Sequence, residues 1–333
     1  MTNQRYLVAG TAGFLGARLC DAVLTDDHIV VGVDNFSTGR PVNLAHLRSE
    51  PRFTLVERDI CEPFDADAID CLFKFASPVS PADHLRLGPE TLRAGSFGTQ
   101  NALQLARKYG ARFLHASTSE CYGDPDVHPQ PETYWGRVNP IGPRSVYDEV
   151  KRFSEALVMA RQRYHGVDTR MVRIFNTYGP RLRPTDGRVI SNSMIQVLLE
   201  EDLIVYGDGS QTRSFCYVSD LVDGILRLAR SGEHLPVNIG NPEESTILEC
   251  AREVLFVTGS RSRIRHEPLS QDDPTQQRPD ITRARSILRW QPSVGLRRGL
   301  ELSLDYFRAN LHVGAKSTMC ARAAPEPVSQ ILT

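Results

Sequence analysis

The chain has 333 residues, which at roughly 150 residues per domain predicts about two domains or lobes. Hydrophobic residues make up 41% of the sequence, enough apolar surface to form a core, and this excludes disorder over most of the length. The 39 Lys and Arg residues balance the 40 Asp and Glu residues, so the overall charge of −1 gives no reason to expect binding to nucleic acid or to an anionic membrane.

Short apolar segments alternate with amphipathic segments through the first half of the chain. Strands are predicted at residues 5–9, 28–34, 53–60, 70–76, 112–118 and 169–175, and helices at 14–24, 90–109 and 146–164. Alternation of this kind is typical of βαβ units, whose parallel strands are covered by helices on both faces. The sequence therefore predicts an α/β fold with a doubly wound parallel Rossmann sheet.

After residue 175 the sequence is punctuated by Pro, Gly and Arg. Helices are predicted at 189–199, 219–230 and 248–257, with short strands at 204–206 and 237–239. We predict a Rossmann domain over residues 1–175, to which about 212–240 return, and a smaller α/β lobe from about 176–211 and 241–312. Residues 313–333 show no periodicity, and we expect them to form a loose tail.

Seven scattered cysteines include no Cys-x-x-Cys pair, and nine histidines show no spacing typical of metal ligands. The cysteine pattern predicts free thiols in a reducing cytoplasm, and we expect no metal site. No apolar run approaches the roughly 20 residues that span a bilayer. The first predicted strand begins at residue 5, so we also expect no signal peptide and no membrane association.

A glycine-rich turn follows the first predicted strand. Gly10, Gly13 and Gly16 are spaced G-x-x-G-x-x-G, and Phe14 and Leu15 begin the next helix. In such a motif the first glycine permits the tight turn, the second lets the backbone approach a pyrophosphate, and the third allows close packing of helix and strand. The helix N-terminus adds free N–H donors and the positive end of the dipole. These residues predict a dinucleotide-binding site.

Asp34 ends the second predicted strand, 24 residues after Gly10, where a carboxylate can accept hydrogen bonds from the adenosine ribose. A carboxylate there repels a 2′-phosphate, which favours NAD over NADP, although Arg40 leaves NADP open. For Asp59, contact with adenine and capping of a turn are alternative interpretations. The remaining residues of the predicted cofactor site are Asn35, Ile60 and Ala76.

Tyr147 and Lys151 form a Tyr-x-x-x-Lys pair at the start of a predicted helix, which places both side chains on one face. A neighbouring ammonium group favours the phenolate, so we expect a lowered pKa that lets Tyr147 accept a proton near neutral pH. Such pairs are also common on solvated helices. This pair gains weight because Thr118, Ser119 and Glu120 follow the fifth strand, whose carboxyl end faces the ligand crevice of an open α/β sheet.

Together these motifs resemble the extended short-chain dehydrogenase/reductase family over about residues 5–290. Within that family, several separated runs are similar to the UDP-glucuronate decarboxylases, also called UDP-xylose synthases. The runs are residues 33–36, 76–81, 117–125, 128–130, 134–136, 139–144, 147–149, 186–189 and 209–213.

The resemblance implies decarboxylation of UDP-glucuronate to UDP-xylose through a 4-keto intermediate, with bound NAD regenerated in the cycle. It implies that Tyr147 is the base, that Lys151 holds the cofactor ribose, and that Thr118 or Ser119 stabilises an enolate. Glu120 would position the sugar or relay a proton, or belong only to a loop network. Arg213 would bind the sugar carboxylate or the diphosphate. The other implied substrate-binding residues are Ser77, Pro78, Asn176, Arg188, Val189, Asn192, Tyr206 (beside uracil), Gln211 and Arg278 (on the diphosphate).

The residues at positions 119 and 120, Ser and Glu in this chain, differ between related enzymes of different activity. Nucleotide-sugar 4,6-dehydratases have Asp-Glu there, and a second carboxylate about 4 Å from the glucuronate carboxylate would cost about 4 kcal/mol at an effective dielectric constant near 20. The 4-epimerases usually lack the Glu. A 4-epimerase or 4,6-dehydratase is nevertheless one alternative, and a non-catalytic sensor of NAD and nucleotide sugars is another. The intact Tyr147 and Lys151 pair argues against a sensor.

Three residues depart from the family pattern. Thr11 replaces a second glycine, Lys74 replaces the usual His of the fourth strand, and Gly95 replaces an Asn of the following helix. Because of the departures at Lys74 and Gly95, the sequence does not predict how side chains pack there or how protons are relayed. The resemblance also implies a homodimer joined through the helices predicted at 90–109 and 146–164.

Overall fold

A central sheet of seven strands, all parallel, organises the computed structural model, which describes residues 3–269 and 274–311. The predicted tail at 313–333 lies outside these residues. The strand order is β11-β6-β5-β4-β1-β2-β3, and the predicted doubly wound fold is confirmed. The strands are β1 (Arg5–Ala9), β2 (Ile29–Asp34), β3 (Phe53–Glu57), β4 (Cys71–Lys74), β5 (Arg112–Thr118), β6 (Thr169–Ile174), β7 (Thr177–Tyr178), β8 (Leu203–Tyr206), β9 (Thr212–Ser214), β10 (Cys216–Tyr217), β11 (Pro236–Ile239), β12 (Glu244–Thr246), β13 (Ile264–Glu267) and β14 (Gln276–Gln277).

Helices cover both faces of this sheet. One apolar core joins the sheet to α1 and α7, and a second joins it to α4 and α5. The helices are α1 (Phe14–Thr25), α2 (Pro81–Arg86), α3 (Gly88–Gly95), α4 (Phe97–Tyr109), α5 (Ser145–His165), α6 (Val189–Leu198), α7 (Val218–Arg230), α8 (Ile247–Thr258), α9 (Thr282–Leu288) and α10 (Leu296–Ala309). Short 3₁₀ helices lie at Pro41–Leu47 and Ser119–Tyr122. Among the described helices, none is long and apolar enough to span a bilayer.

The prediction of a single helix at 90–109 is wrong, because the helix is interrupted at Ser96, between α3 and α4. Ser96 has φ −92° and ψ −80°, outside helical values, and its hydroxyl donates to the Leu92 carbonyl at 2.6 Å. Gly95 precedes it, and glycine has the lowest helix propensity after proline. The sequence pattern also missed α2, α9 and α10.

A third apolar core lies in the second half of the chain, where α6, α8 and α10 pack around β8 and β7. Three small sheets accompany it: β12-β9-β14, β13-β8 and β10-β7. Within the segment 212–240, β11 pairs with β6 of the central sheet, whereas β9 pairs with β12 and β14. The boundaries predicted for the two lobes remain predictions.

The strand order reverses direction between β1 and β4, which are neighbours although two strands separate them in sequence. In open α/β sheets the ligand crevice lies at such a switch point, outside the carboxyl ends of the strands. The glycine turn after β1, Ser77 after β4, Ser119 after β5 and Asn176 after β6 therefore meet at one edge of the sheet.

Candidate active site

A cleft of about 630 Å³ lies between this edge of the sheet and the second half of the chain. Its walls include the glycine turn, the ends of β5 and β6, and the start of α6. Most of the predicted site residues line it: Gly10, Gly13, Phe14, Leu15, Gly16, Ser77, Thr118, Ser119, Glu120, Tyr147, Lys151, Asn176, Arg188, Val189, Asn192, Tyr206, Gln211 and Arg213. The structure therefore brings together residues that are more than 200 positions apart.

The glycine turn has the geometry that a pyrophosphate requires. Gly10 has φ +86°, which glycine adopts without strain, and its amide donates to the Val33 carbonyl at 2.8 Å. A side chain at Gly16 would place its Cβ 1.9 Å from the Gly10 carbonyl oxygen. Gly13 caps α1 without a side chain, so backbone N–H groups face the cleft at the positive end of the helix.

A smaller adjoining cavity of about 120 Å³ is suited to the adenosine half of a dinucleotide. Its walls include Asp34, Asn35, Asp59, Ile60, Ala76, Ser77 and Pro78. The Asp34 carboxylate accepts hydrogen bonds from the amides of Ala12 and Phe36, each at 2.8 Å. The Asp59 carboxylate accepts from the Cys61 amide at 2.8 Å, so Asp59 caps a turn and also faces this cavity.

The Tyr147 ring lies against the Lys151 ammonium, whose nitrogen is 5.6 Å from the ring centroid and donates to the Ala116 carbonyl at 2.7 Å. Burial raises the pKa of Tyr147, and the hydrogen bond with Thr118 and the charge of Arg188 offset this rise only in part. The predicted lowering of the Tyr147 pKa is therefore wrong. Burial instead lowers the pKa of Lys151 to about 8.

Glu120 lies in a dense polar network in the cleft wall. Its carboxylate accepts hydrogen bonds from Arg144 at 2.7 Å and from Gln277 at 2.9 Å. Burial alone would raise the pKa of Glu120, but Arg144, Gln277 and the charge of Arg213 together hold it below its usual value. A carboxylate kept ionised in this way is better suited to fixing arginines than to giving up a proton.

Sequence reasoning missed Arg144 and Gln277, and it assigned Arg278 to the substrate instead of its neighbour. Gln277 lines the cleft, whereas Arg278 lines neither cavity. The Arg278 guanidinium donates to the Pro242 carbonyl at 3.0 Å and lies 4.0 Å from Glu244. Because successive side chains of an extended segment point in opposite directions, a cleft-facing Gln277 at the end of β14 turns Arg278 away.

Two further arginines of the cleft are each paired with a carboxylate. The Arg188 guanidinium donates to both oxygens of Asp186. Arg183, which sequence reasoning did not single out, donates to Asp83 at 2.6 Å. Opposed charges of this kind hold guanidinium groups in place while leaving further N–H groups to meet a ligand.

The departures at Lys74 and Gly95 lie side by side. The Lys74 ammonium is 1% exposed and donates to the carbonyls of Ala76 and Ala94, each at 2.8 Å. Burial and the nearby Lys151 lower the pKa of Lys74 far below its usual value. A Cβ at Gly95 would lie 2.3 Å from a methyl carbon of Val150, so an Asn does not fit there.

Sequence reasoning also missed His84, whose imidazole stacks on Tyr147. The ring centroids are 5.1 Å apart and the planes differ by 5°. Burial and then the charge of Arg144 lower the pKa of His84 to about 4, so the imidazole is neutral at pH 7. A lone histidine on a short helix gives no signal in sequence, because its stacking partner is set by tertiary packing.

No group of three or more His, Cys, Asp or Glu side chains within residues 3–269 and 274–311 is arranged to hold a metal ion. The glycine turn, the Asp34 cavity and the Tyr147–Lys151 pair lie around one continuous edge of the sheet. Their donors and acceptors fit the pyrophosphate and ribose groups of a dinucleotide.

Comparison with known proteins gives a consistent result. The model of the NAD dependent epimerase/dehydratase family matches residues 6–240. UDP-glucuronic acid decarboxylase 1 of Danio rerio is 49% identical over 309 residues, which cover 93% of this chain and 74% of the relative. UDP-glucuronic acid decarboxylase 1 of Xenopus tropicalis is 45% identical over 328 residues, covering 98% and 78%.

A solved structure of UDP-glucuronic acid 4-epimerase from Bacillus cereus, in complex with UDP-glucuronic acid and NAD, is similar in fold. The TM-score is 0.80 and the identity is 26%, with 92% of this chain and 99% of the other covered. The two sequence relatives are thus named as decarboxylases, whereas this structural neighbour of similar fold is named as a 4-epimerase.

The low pKa of His84 predicts a measurable sensitivity to acid. An unfolded chain takes up a proton on this His below pH about 6.5, whereas the folded protein does so only near pH 4, so the free energy of unfolding falls as the pH drops between these values. Relative to H84F, the wild-type protein should lose about 2 kcal/mol more between pH 7 and pH 4.5 in urea unfolding. An equal loss in both proteins would contradict this account.

Proposed function

Because the chain belongs to the NAD dependent epimerase/dehydratase family and, within it, to the UDP-glucuronic acid decarboxylases, we propose that it converts UDP-glucuronate to UDP-xylose and CO₂ with bound NAD. The resemblance found in the sequence is thereby confirmed at the level of the family. The observation that carries the proposal is Ser119-Glu120 beside Tyr147 in a cleft that also holds Arg144, Arg188 and other arginines.

Oxidation at C4 of the sugar comes first, since a carboxylate leaves as CO₂ with ease only when a carbonyl stands β to it. Tyr147 takes the proton of the C4 hydroxyl, and the hydrogen bond with Thr118 holds the phenol oxygen in place. When bound in this cleft, NAD would supply the hydride acceptor for C4 and a positive charge that favours the Tyr147 phenolate. Lys151 binds the cofactor ribose.

Loss of CO₂ breaks the bond between C5 and the carboxyl carbon, and the electron pair moves toward the C4 oxygen. The protonated Tyr147 and the hydroxyl of Thr118 or Ser119 donate to this enolate oxygen in a site shielded from water. The proton that then adds to C5 is taken up from solution, since the overall reaction consumes one proton. Reduction of C4 and return of the Tyr147 proton to the oxygen give UDP-xylose, so the cofactor ends as it began.

The residue at position 119 favours decarboxylation over dehydration. Ser119 is 3% exposed, at the start of the 3₁₀ helix that follows β5, and it lines the cleft. An acid there would face the substrate carboxylate at low dielectric, where repulsion between like charges is strongest. Glu120 does not raise this difficulty, since Arg144 and Gln277 already bind it.

The positive side chains of the cleft supply the recognition of a substrate with three negative charges. We assign Arg213 and Arg188 to the diphosphate and carboxylate oxygens, because both guanidinium groups line the cleft. We assign Tyr206, which is 47% exposed, to a position beside the uracil. The side-chain amide of Gln211 donates to the Tyr206 backbone carbonyl at 3.0 Å. Arg278, which faces Pro242 and Glu244, is not part of this proposal.

A homodimer and a reducing compartment complete the proposal. Phe97 on α4 and Phe153 on α5 are 57% and 52% exposed, and these two helices contact each other. Apolar side chains exposed on adjacent helices favour a subunit interface at this surface. The six described cysteines are buried free thiols, which supports the expected cytoplasm.

Purified protein given UDP-glucuronate should release CO₂ and form UDP-xylose without accumulation of NADH. Chromatographic separation followed by mass spectrometry of the products across UDP-glucuronate, UDP-glucose and dTDP-glucose tests this, because the separation resolves C4 epimers of equal mass. UDP-galacturonate as the product would favour a 4-epimerase, and turnover of dTDP-glucose to a 4-keto-6-deoxy sugar would favour a dehydratase. No turnover with any sugar would favour the sensor.

Replacing Tyr147 with Phe should reduce kcat by about 10²- to 10⁴-fold, because the general base and the donor to the enolate are both lost. Binding of UDP should change by less than about twofold. Tyr164→Phe is the matched control, since Tyr164 lies on the same helix and is 80% exposed. Turnover that survives in Y147F would refute the proton transfer assigned to Tyr147.

Sedimentation velocity should find a dimer whose dissociation is promoted by F97E combined with F153E, because the charges would be buried in the interface. Ile141→Glu is the control, since Ile141 is 91% exposed in a loop outside these helices. A monomeric wild-type protein would contradict the dimer, and equal effects of both changes would contradict the interface proposed on α4 and α5.

A further inference from the structure

His84 is a buried side chain of the cleft that the mechanism above leaves without a task. It lines the cleft beside Tyr147 and is 1% exposed. Among the residues that the structure describes, neither of its ring nitrogens has a partner at hydrogen-bond geometry. Because buried polar groups in native proteins are almost always paired, an unpaired imidazole in the wall of a cleft points to a ligand atom that completes it.

The backbone holds His84 firmly in this position. Its amide donates to the Ser80 carbonyl at 3.0 Å, and the Ser80 hydroxyl donates to the Asp83 carboxylate at 2.8 Å. Arg183 then ties Asp83 to the segment between β7 and α6 at 2.6 Å. The face-to-face stack on Tyr147 fixes the plane of the imidazole as well.

The charged groups that influence His84 are Arg144, Glu120 and Asp83, with the Val79 carbonyl nearby. Glu120 is bound by Arg144 and Gln277, and Asp83 by Ser80 and Arg183. The charged neighbours therefore satisfy one another, and although the Val79 carbonyl is close enough to influence the imidazole, it does not meet either ring nitrogen at hydrogen-bond geometry. A neutral imidazole carries one N–H donor and one acceptor nitrogen.

We propose that His84 binds the glucuronosyl group itself. Its N–H donates to an oxygen of a group attached next to C4, either the hydroxyl on C3 or the carboxylate attached to C5. Its ring face keeps Tyr147 turned toward C4. The stack supports this assignment, because a side chain in contact with the base of the reaction lies beside the reacting carbon. The inference rests on the proposed function, since it assigns a contact within the same substrate.

The variant H84F tests the contact, because Phe keeps a flat ring against Tyr147 and removes both nitrogens. Calorimetry is done at pH 7 on protein loaded with NADH, which cannot oxidise C4 and so leaves UDP-glucuronate unconverted. The Kd for UDP-glucuronate should rise by about tenfold, the usual effect of losing one hydrogen bond, and the Kd for UDP should stay within twofold of wild type. The variant H84L, without a ring, should show the same selective loss, and it serves if H84F does not fold.

The variant H115F is the matched control. His115 is another fully buried imidazole without hydrogen-bond partners in the described structure, but it lines neither cavity. Its replacement should leave both Kd values within twofold. An unchanged Kd for UDP-glucuronate in H84F and H84L would overturn the proposal, and so would an equal loss of UDP binding, which indicates a general disturbance of the cleft.

UDP-xylose distinguishes the two oxygens, because it keeps the 3-hydroxyl and lacks the carboxylate. A contact with the carboxylate predicts that H84F binds UDP-xylose as the wild type does, and a contact with the hydroxyl predicts a loss of about tenfold. Both results support a sugar contact. Failure of the wild-type protein to decarboxylate UDP-glucuronate is a separate outcome that bears on the proposed function, since these measurements require binding only.

Discussion

The site depends on the pairing of partly buried arginines with carboxylates in the cleft wall. Arg144 is held by Glu120, Arg183 by Asp83 and Arg188 by Asp186, so each of these three guanidinium groups has a fixed direction. An unpaired charge would be costly in a shielded cleft, whereas a paired one can be kept dry. The cleft can thus exclude water and still offer N–H groups to a substrate with three negative charges.

The same shielding from water determines the pKa of Tyr147. Burial raises the pKa of its phenol and lowers the pKa of Lys151 to about 8, so at pH 7 the phenol is neutral and most of Lys151 still carries its proton. A base that is neutral at rest does not attract stray protons or cations. Its activation then depends on positive charge that arrives with the cofactor, which couples proton removal at C4 to the presence of the oxidant.

Local features of the sequence predicted the parts of the site that follow a strand end or a helix start. Gly10, Asp34 and Ser119 come directly after a strand or end one, and Tyr147 and Lys151 lie one turn apart on a helix. His84 and Arg144 could not be found in this way, because their partners are fixed by tertiary packing. Arg278 was assigned to the diphosphate from the family resemblance, whereas the alternation of an extended segment decides that Gln277 and not Arg278 faces the cleft.

The departures from the family pattern show how a neighbour absorbs an unusual residue. The Thr11 side chain fills the space that Gly32 leaves open, where a Cβ would lie 2.8 Å from Thr11. Lys74 does more than fill space, since it joins Ala76, at the cofactor cavity, to Ala94 of α3, which packs on the helix that carries Tyr147. The two carbonyls each accept an N–H of this buried lysine, which thereby links the cofactor wall to the helix that packs on the catalytic helix.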